Sequence, residues 1–402
     1  MFSFLLLLSF NLIFVSLGAS RIIHTKFNPD GHAELGINLV EHGMIAFDAD
    51  KGPTLNRGPL YPIIVGFCYI LSKNNWFIIL IILQSLFASF TVFYGYKTAK
   101  ELFSSFAGLV TGIILVFHPL VFRYPGMVML ETLTTFFMAL IAYLAIIAYK
   151  SDNIKNYIYL SIAIALAALI KSTFLIYIPI FFIAAFWLKR YKKAIILFLI
   201  SLAIIAPWTY RNYRLSNKII PVHLLGGYNL YRGNRFVENY KKAPLSYLKL
   251  WNYTSAKSDS INAAIPDNFS QAEWDMASDS IHLYLAIDEL KENPLFLLEK
   301  FVINSIMYWT TYLSTYKSLI MIIFRLPLFI LLIVALTTIY RKEKKRKIEY
   351  IPLIISLLYF MAHLPLFAIG RFSTVTVGIM VCYSSCGLEI ILNKISNKKG
   401  ES

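Results

Sequence analysis

Three isolated ionisable residues stand beside or between apolar stretches of this sequence and could take part in chemistry. Asp30 opens the segment Asp30-Gly-His-Ala-Glu34, Glu131 is the one acidic residue between residues 104 and 150, and Lys171 separates two apolar runs. Ionisable side chains within apolar sequence cost free energy, so each of them needs a reason. Asp30 also suits the N-cap of a helix that Gly43 would end, and this structural role is the alternative to a catalytic one.

Arginines and aromatic residues mark other boundaries between polar and apolar sequence. Arg57 precedes Gly-Pro-Leu-Tyr61-Pro, Arg211 follows Pro-Trp-Thr-Tyr, and Arg371 follows a glycine. Such arginines either reach lipid headgroups or bind a phosphate group. A carboxylate among cations at a membrane surface suits a lipid-linked phosphate substrate: the cations hold the phosphate, and the carboxylate activates or orients a nucleophile. A sugar joined through phosphate needs little protonation of its leaving group, so one base suffices where a glycoside hydrolase uses two carboxylates.

The composition places these residues in a membrane protein. The chain has 402 residues, of which 58% are hydrophobic and 15% charged, and its mean hydropathy is +0.62. Soluble domains carry about 25% charged residues, so an ordinary soluble enzyme, a disordered chain and a disulfide scaffold are excluded. The net charge of +16 would suggest nucleic acid as the partner of a soluble chain. Here the bases cluster near the ends of apolar runs, and we expect no nucleic-acid partner.

Apolar runs recur along the chain, and about 20 such residues cross a bilayer. Residues 1–19 lack the basic start of a signal peptide, which favours an uncleaved first helix over a cleaved leader. With this helix, the sequence predicts an all-α, polytopic bundle of about ten transmembrane helices. The nine others are residues 76–96, 103–120, 130–149, 157–170, 173–188, 194–210, 319–340, 350–369 and 375–392.

The basic residues predict the orientation of these helices, because Lys and Arg concentrate in cytoplasmic loops. They cluster at residues 97–100, 150–155, 189–193, 341–347 and 394–399. The other side then carries a first outer loop at 20–75 and a large outer loop at 211–318, which together hold fifteen of the 22 acidic residues. Residues 59–74 and 297–313 are too short or too polar to cross, so outer-face juxtamembrane helices are predicted there. The chain 1–402 is interpreted as a single membrane-embedded domain.

In several fragments the chain resembles the GT-C glycosyltransferases, in the branch of dolichyl-phosphate-mannose–protein mannosyltransferases and bacterial aminoarabinose transferases. The ordered set covers residues 1–215, and Arg371 fits more weakly. Two features depart from the family: Asp30 is followed by Gly-His-Ala where a second acid or Asp-x-x-Tyr is common, and the chain is short, which leaves the acceptor open. The matching fragments are Asp30 with Gly36-Ile-Asn-Leu39, Arg57-Gly-Pro-Leu-Tyr-Pro62, His118-Pro119 with Glu131, Lys171 between two helices, and Pro207-Trp208-x-x-Arg211-Asn212.

The resemblance implies a GT-C-like fold and an inverting transfer of a sugar from a polyprenyl-phosphate donor to a lipid, glycan or protein acceptor. The transfer would take place on the non-cytoplasmic face of a membrane, most simply the inner membrane of a bacterium. By position, Asp30 would be the catalytic carboxylate and Glu131 a second acid. The donor phosphate would be bound by Arg57, Lys171 and Arg371, and the other substrate-binding candidates are Glu34, Tyr61, His118 and Arg211.

No cofactor is expected from this resemblance. Asp30 and Glu131 alone would be an incomplete ligand set for a divalent cation such as Mg²⁺ or Mn²⁺, so participation of a metal stays open.

Other classes of function stay open as well. A transporter or flippase of lipid-linked oligosaccharides would keep ionisable groups at the bilayer midplane or show repeated halves, whereas the candidates here lie at helix ends. A polysaccharide polymerase or ligase would also use outer-face arginines, but it would act on a preassembled glycan. A non-enzymatic assembly subunit would leave Glu131 and Lys171 without an explanation.

Overall fold

The computed structural model describes residues 28–151, 153–341 and 347–400. Sixteen α-helices and no β-strand lie within these ranges. The first membrane helix predicted at residues 1–19 and most of the basic loop at 341–347 fall outside the described residues. The helices are α1 His32–His42, α2 Leu60–Leu71, α3 Trp76–Leu102, α4 Ser105–Phe117, α5 Pro119–Arg123, α6 Glu131–Lys150, α7 Ile154–Ile170, α8 Tyr177–Trp187, α9 Tyr191–Ser216, α10 Gly226–Asn239, α11 Tyr247–Asn262, α12 Gln271–Glu292, α13 Phe296–Thr310, α14 Thr315–Arg341, α15 Ile351–His363 and α16 Val377–Gly400.

Five helical segments of the described chain are long and apolar enough to cross a membrane: α3, α6, α9, α14 and a last one counted from Phe372 to Asn397. A sixth span is counted if α4 and the short helices after it cross together, since they pass the same test as a pair but bend by 50° after Phe117, where Pro119 begins the next helix. Shorter helices, α7, α8 and α15, occupy the remaining predicted spans. The all-α, multi-pass architecture is therefore confirmed, with five or six spans by this measure rather than about ten.

Helix lengths agree with the sequence in some places and not in others. The segments expected not to cross are indeed short, since α2 has 12 residues and α13 has 15. The span predicted at 350–369 is too long, because α15 ends at His363. Pro365 follows closely, and a proline has no backbone N–H to donate to a helical hydrogen bond.

The paired helices α6 and α7 separate two ends of the molecule. α6 has 20 residues and rises about 30 Å from Glu131 to Lys150. At the far end, Lys150 pairs with Glu101 at 2.6 Å, and Arg190 donates a hydrogen bond to the carbonyl of Ala148 at 2.6 Å. Because α7 starts beside Lys150 and runs back along α6, its last turn returns to the level of Glu131. Basic residues thus gather at one end of the helices, and the predicted site lies at the other.

Two glycines allow the segments that carry the site to approach closely. A Cβ atom on Gly36 of α1 would lie 2.6 Å from the side chain of Val65 in α2. A Cβ atom on Gly58 would lie 2.3 Å from the carbonyl oxygen of Leu169 at the end of α7. Only glycine fits such contacts, because any side chain would push the segments apart. Gly58 therefore holds Arg57, the residue before it, against the end of α7.

Candidate active site

A cavity of about 950 Å³ lies at the end of the helices where Glu131 begins α6. Its lining includes Asp30, Arg57, Glu131, Lys171 and Arg371. All five were singled out from the sequence as catalytic or phosphate-binding candidates, and the fold brings them together from five separate segments. Ligand-binding cavities commonly measure about 300–1,000 Å³, so this one has room for more than one substrate group.

Asp30 does not cap the helix that follows it. The N-cap of α1 is Gly31, whose φ of 71° is a conformation that glycine adopts at little cost, and no side chain caps the helix there. The amide of Ala33 donates instead to the side-chain oxygen of Asn28 at 3.2 Å. The capping role considered for Asp30 is therefore wrong, whereas Gly43, with φ 70°, ends the helix as predicted. The Asp30 carboxylate is left for other partners.

Arg371 bridges the two acids of the cavity. Its Nη2 donates to Oδ2 of Asp30 at 3.0 Å, and its Nε lies 3.0 Å from Oε1 of Glu131. The second contact is an ion pair without an aligned hydrogen bond, and Oε2 of Glu131 is buried without a hydrogen-bond partner. Burial by itself raises the pKa of Asp30, but Arg371 above all outweighs it and holds that pKa well below its usual range. Asp30 is therefore ionised at neutral pH.

Lys171 and Arg57 are two cations of the cavity that form no ion pair with a carboxylate of the described residues. Nζ of Lys171 donates to the Tyr359 hydroxyl at 2.9 Å and lies 3.9 Å from the centre of the Phe372 ring. Burial lowers the pKa of Lys171 to about 7, so at neutral pH about half of the molecules carry the charged ammonium form of this side chain. Arg57 donates to the carbonyl oxygen of Asp30 at 3.3 Å. Among residues 28–151, 153–341 and 347–400, neither cation forms an ion pair, and both are available to an anion.

Comparison of the sequence with protein families supports the resemblance noted above. Residues 56–210 match the dolichyl-phosphate-mannose-protein mannosyltransferase family. The resemblance is thereby confirmed for the segment that contains Arg57, Glu131 and Lys171, while Asp30 and Arg371 lie outside the matched range. No curated protein sequence is significantly similar to the chain.

Solved structures with a similar fold include the archaeal oligosaccharyltransferase AglB from Archaeoglobus fulgidus. Its complex with an inhibitory peptide and a dolichol-phosphate gives a TM-score of 0.55 at 13% identity, over 92% of this chain and 47% of AglB. Its apo form gives 0.53 at 14% identity, over the same shares. ArnT from Cupriavidus metallidurans bound to undecaprenyl phosphate aligns over 94% of this chain and 77% of ArnT, with a TM-score of 0.40 and 11% identity. The chain spans about half the length of AglB, and the likeness concerns a GT-C-like fold.

Three further candidates suggested by the mannosyltransferase resemblance lie outside the cavity lining. Glu34 is exposed on α1. Tyr61 is fully buried and donates to the side chain of Gln84 at 3.1 Å. His118 is also buried, and its Nδ1 accepts from the Leu120 amide at 3.3 Å. The hydrogen bonds of Tyr61 and His118 stabilise the packing of the protein around the cavity. A role of the three residues in substrate binding stays a prediction.

Arg211, the fourth such candidate, acts on the segment before Arg57 together with an acid that the sequence analysis did not single out. Its Nη1 donates to the carbonyl of Thr54 at 2.7 Å. Asp275 of α12 accepts from the Thr54 hydroxyl at 2.6 Å and from the side-chain amide of Asn56 at 2.7 Å. The large outer loop therefore clamps the residues that lead into Arg57. Arg211 itself does not line the cavity, so its contact with substrate is likewise still a prediction.

Three histidines also line the cavity, namely His32, His223 and His363. Both ring nitrogens of His32 are buried without hydrogen-bond partners, and burial lowers its pKa to about 3. His223 accepts from the Ser172 amide at 3.4 Å, and burial again lowers its pKa to about 3. The rings of His32 and His223 are therefore neutral at neutral pH. His32 lies two residues after Asp30, a position that could have marked it in the sequence; nothing local marks His223.

The arrangement of the two acids bears on the question of a metal. In the part of the chain that the structure describes, no group of three or more His, Cys, Asp or Glu side chains is placed to hold a metal ion. The guanidinium of Arg371 also lies between Asp30 and Glu131, at 3.0 Å from each. A divalent cation between these carboxylates would have to displace that positive charge, so this donor set does not fit one.

Proposed function

We propose that the protein is an integral membrane glycosyltransferase that moves a sugar from a polyprenyl-phosphate donor to an acceptor on the non-cytoplasmic face. One observation carries this proposal: Arg57 and Lys171, two cations that form no ion pair within the described residues, line the same cavity as the acid pair Asp30 and Glu131. The family match of residues 56–210 supports the class of reaction. The cavity supplies the charges that such a reaction needs.

The donor end of the reaction uses the two cations. Arg57 and Lys171 would bind the phosphate of the donor through charge-assisted hydrogen bonds. An acceptor hydroxyl attacks the anomeric carbon, and the bond from that carbon to the phosphate oxygen breaks. The polyprenyl phosphate leaves with the electron pair of this bond, and the cations stabilise the negative charge that develops on it. A single displacement of this kind inverts the anomeric centre.

Asp30 would receive the proton of the acceptor hydroxyl. A carboxylate whose pKa is held low by Arg371 is a weak base. It therefore orients the hydroxyl at first and accepts the proton late, when attack on the sugar has made that proton more acidic. Its negative charge also complements the positive charge that develops on the sugar ring. Glu131 would share Arg371 and so keep the guanidinium in place.

The charges at the ends of the helices support an orientation of the protein in the membrane. Lys150 and Arg190 lie at the end opposite to the cavity, and basic residues favour the cytoplasmic side. The cavity would then face outward, in keeping with a bacterial inner membrane. Counting the segment 1–19 and the shorter helices α7, α8 and α15 as crossings would bring the bundle to about ten. A cysteine that replaces exposed Asp259 should react with a membrane-impermeant reagent in intact cells; reaction only after permeabilisation would invert this orientation.

We expect no requirement for a metal ion, because Arg371 occupies the place between the acids that a cation would take. The measurement is the rate of sugar transfer before and after treatment with EDTA, and after addition of Mg²⁺ or Mn²⁺. We expect less than a twofold change in each case. A large loss with EDTA that Mg²⁺ or Mn²⁺ restores would contradict this expectation.

The direct test uses the protein reconstituted in nanodiscs with a panel of polyprenyl-phosphate hexoses and pentoses and a membrane fraction as the source of acceptor. We expect one donor to release polyprenyl phosphate, and we expect Asp30→Asn to lose this activity. Movement of an intact lipid-linked oligosaccharide across liposomes, with no bond broken, would indicate a flippase. Consumption only of a preassembled glycan would indicate a polymerase or ligase. Either result would overturn the proposal.

A further inference from the structure

Helix α10 carries two arginines, three residues apart, with opposite surroundings. Arg235 pairs with Glu238 at 2.7 Å and also with Glu289, and it does not line the cavity. Arg232 does line the cavity, and no carboxylate within the three described ranges forms an ion pair with it. Its Nε is buried without a hydrogen-bond partner. A cation in this position is expected to have a counter-charge, because burying an unpaired charge is costly.

Aromatic residues hold the Arg232 side chain in one orientation. The guanidinium carbon lies 4.3 Å from the centre of the Trp251 ring and 4.1 Å from that of Phe367. Nη2 donates to the Tyr247 hydroxyl at 2.7 Å. These contacts attract and orient the cation, but they bring no full negative charge to it. The remaining donors suit a phosphate or carboxylate, which a guanidinium binds with two parallel hydrogen bonds.

Tyrosines connect Arg232 with the rest of the cavity. Tyr228 precedes it by one helical turn and lines the cavity. Tyr247 accepts the hydrogen bond from Arg232 and also lines the cavity. Arg232 is thus a separate cationic position that borders the centre formed by the acids and their arginine. The donor phosphate would use other cations of the cavity, Arg57 and Lys171.

The nearby acids do not supply the missing charge. Asp275 is hydrogen-bonded to the segment before Arg57, and Asp279 accepts from the backbone amide of Tyr228 at 3.0 Å. Each carboxylate is satisfied by uncharged donors, and neither forms an ion pair with Arg232 in the described chain. Arg232 therefore offers a position for an anion besides the one that the donor phosphate would take.

We propose that Arg232 and its surrounding rings form the acceptor subsite, and that the acceptor carries an anionic group, a phosphate or a carboxylate, near the hydroxyl that receives the sugar. The inference rests on the proposed glycosyl transfer and narrows its acceptor. A cavity of about 950 Å³ leaves room for an acceptor group beside the donor sugar.

The test follows a radiolabelled sugar from the donor that the protein uses into membranes of the source cells. Unused donor is hydrolysed by mild acid, and the labelled product is then applied to an anion-exchange column. We expect the product to be retained. Loss of retention after phosphatase treatment would identify a phosphate, and loss after carbodiimide activation and borohydride reduction would identify a carboxylate. A labelled product that passes through the column as a neutral molecule would overturn the inference.

Matched variants assign the effect to Arg232. Arg232→Gln should lower transfer to the acceptor by about 10- to 100-fold, the loss that corresponds to one charge-assisted hydrogen bond. Release of polyprenyl phosphate with water as the acceptor should stay at the wild-type rate, which also shows that the variant is folded. Arg232→Lys should restore part of the transfer, and Arg235→Gln should change neither rate.

Two outcomes separate this inference from the proposed function. Transfer by Arg232→Gln at the wild-type rate would refute the acceptor subsite and leave the glycosyltransferase intact. Absence of polyprenyl phosphate release by the wild-type protein with every donor would instead refute the proposed function itself.

Discussion

Replacing Asp30 with asparagine separates the chemical role of this residue from its structural one. In the wild-type protein Nη2 of Arg371 lies 3.0 Å from Oδ2 of Asp30. Asparagine keeps a side-chain oxygen within reach of Arg371, but it carries no charge and cannot take up the proton of the acceptor. Because Gly31 is the N-cap of α1, the substitution removes no helix cap. We therefore expect α1 and its contacts with α2 to form as in the wild-type protein.

The structure indicates the size of both effects. The side chains of Arg371 and Asp30 are 25% and 23% exposed, and Arg371 keeps Glu131 as a partner. The loss of stability should then stay within about 1.5–3 kcal/mol, the range for one hydrogen bond to a charged group. Loss of a general base lowers the rate by about 100-fold or more. That factor corresponds to at least about 2.7 kcal/mol in the activation free energy.

The assay compares kcat for release of polyprenyl phosphate by the wild-type protein, Asp30→Asn and the control Asp50→Asn. Asp50 is an exposed acid of the first outer loop and lies outside the cavity lining, so its substitution should leave kcat within about twofold of the wild-type value. Thermal unfolding in detergent shows whether each variant is folded. Near-normal turnover by Asp30→Asn would refute the role of Asp30 as the proton acceptor and direct attention to Glu131.

Three other substitutions test the charges of the cavity. Because the pKa of Lys171 is about 7, kcat/KM of the wild-type protein should fall by up to about tenfold per pH unit above pH 7. Lys171→Arg stays charged and should give a flat pH profile. The same decline in both proteins would show that another group titrates. Arg371→Gln leaves the acid pair without its buried counter-charge and should cost about 3–5 kcal/mol of stability at pH 7. Because Arg371 depresses the pKa of Asp30, this difference should be full above pH 4 and shrink as the pH falls below it, and an equal difference at pH 3 would contradict the assignment. Asp275→Asn loosens the segment before the donor-binding arginine and should raise the donor KM about tenfold with kcat little changed, while the exposed Asp267→Asn should have no effect.

The residues of the cavity could be found from the sequence because their surroundings are apolar. Glu131 and Lys171 are conspicuous as single charges beside long hydrophobic runs, and charge at such places is costly. Their partners could not be found in this way. The expectation that Arg371 binds the donor phosphate stays a prediction, whereas its contacts with Asp30 and Glu131 could not be foreseen, because the packing of distant helix ends decides which charges meet.

The contribution of the large outer loop was also out of reach of the sequence. Asp275 is one of ten acids in that loop, and nothing in its neighbouring residues distinguishes it from the others. Its importance comes from hydrogen bonds to Thr54 and Asn56, more than 200 residues away in the chain. The predicted capping role of Asp30 was wrong for a local reason instead: Gly31 adopts the left-handed backbone conformation and occupies the N-cap position itself.

The ion pair between Asp30 and Arg371 also sets the order in which this protein can become active during its synthesis. The two residues are 341 positions apart, so at about 5–20 residues per second roughly 20–70 s separate their appearance at the ribosome. Throughout that interval the growing chain carries Asp30 without the arginine that neutralises it. Its centre is completed only when Arg371 and the helical segment that follows it, Phe372–Asn397, have been synthesised and inserted. A ribosome that stops earlier would release a chain with most of its helices but with uncompensated acids at its core, a locally unstable product that cellular proteases would remove.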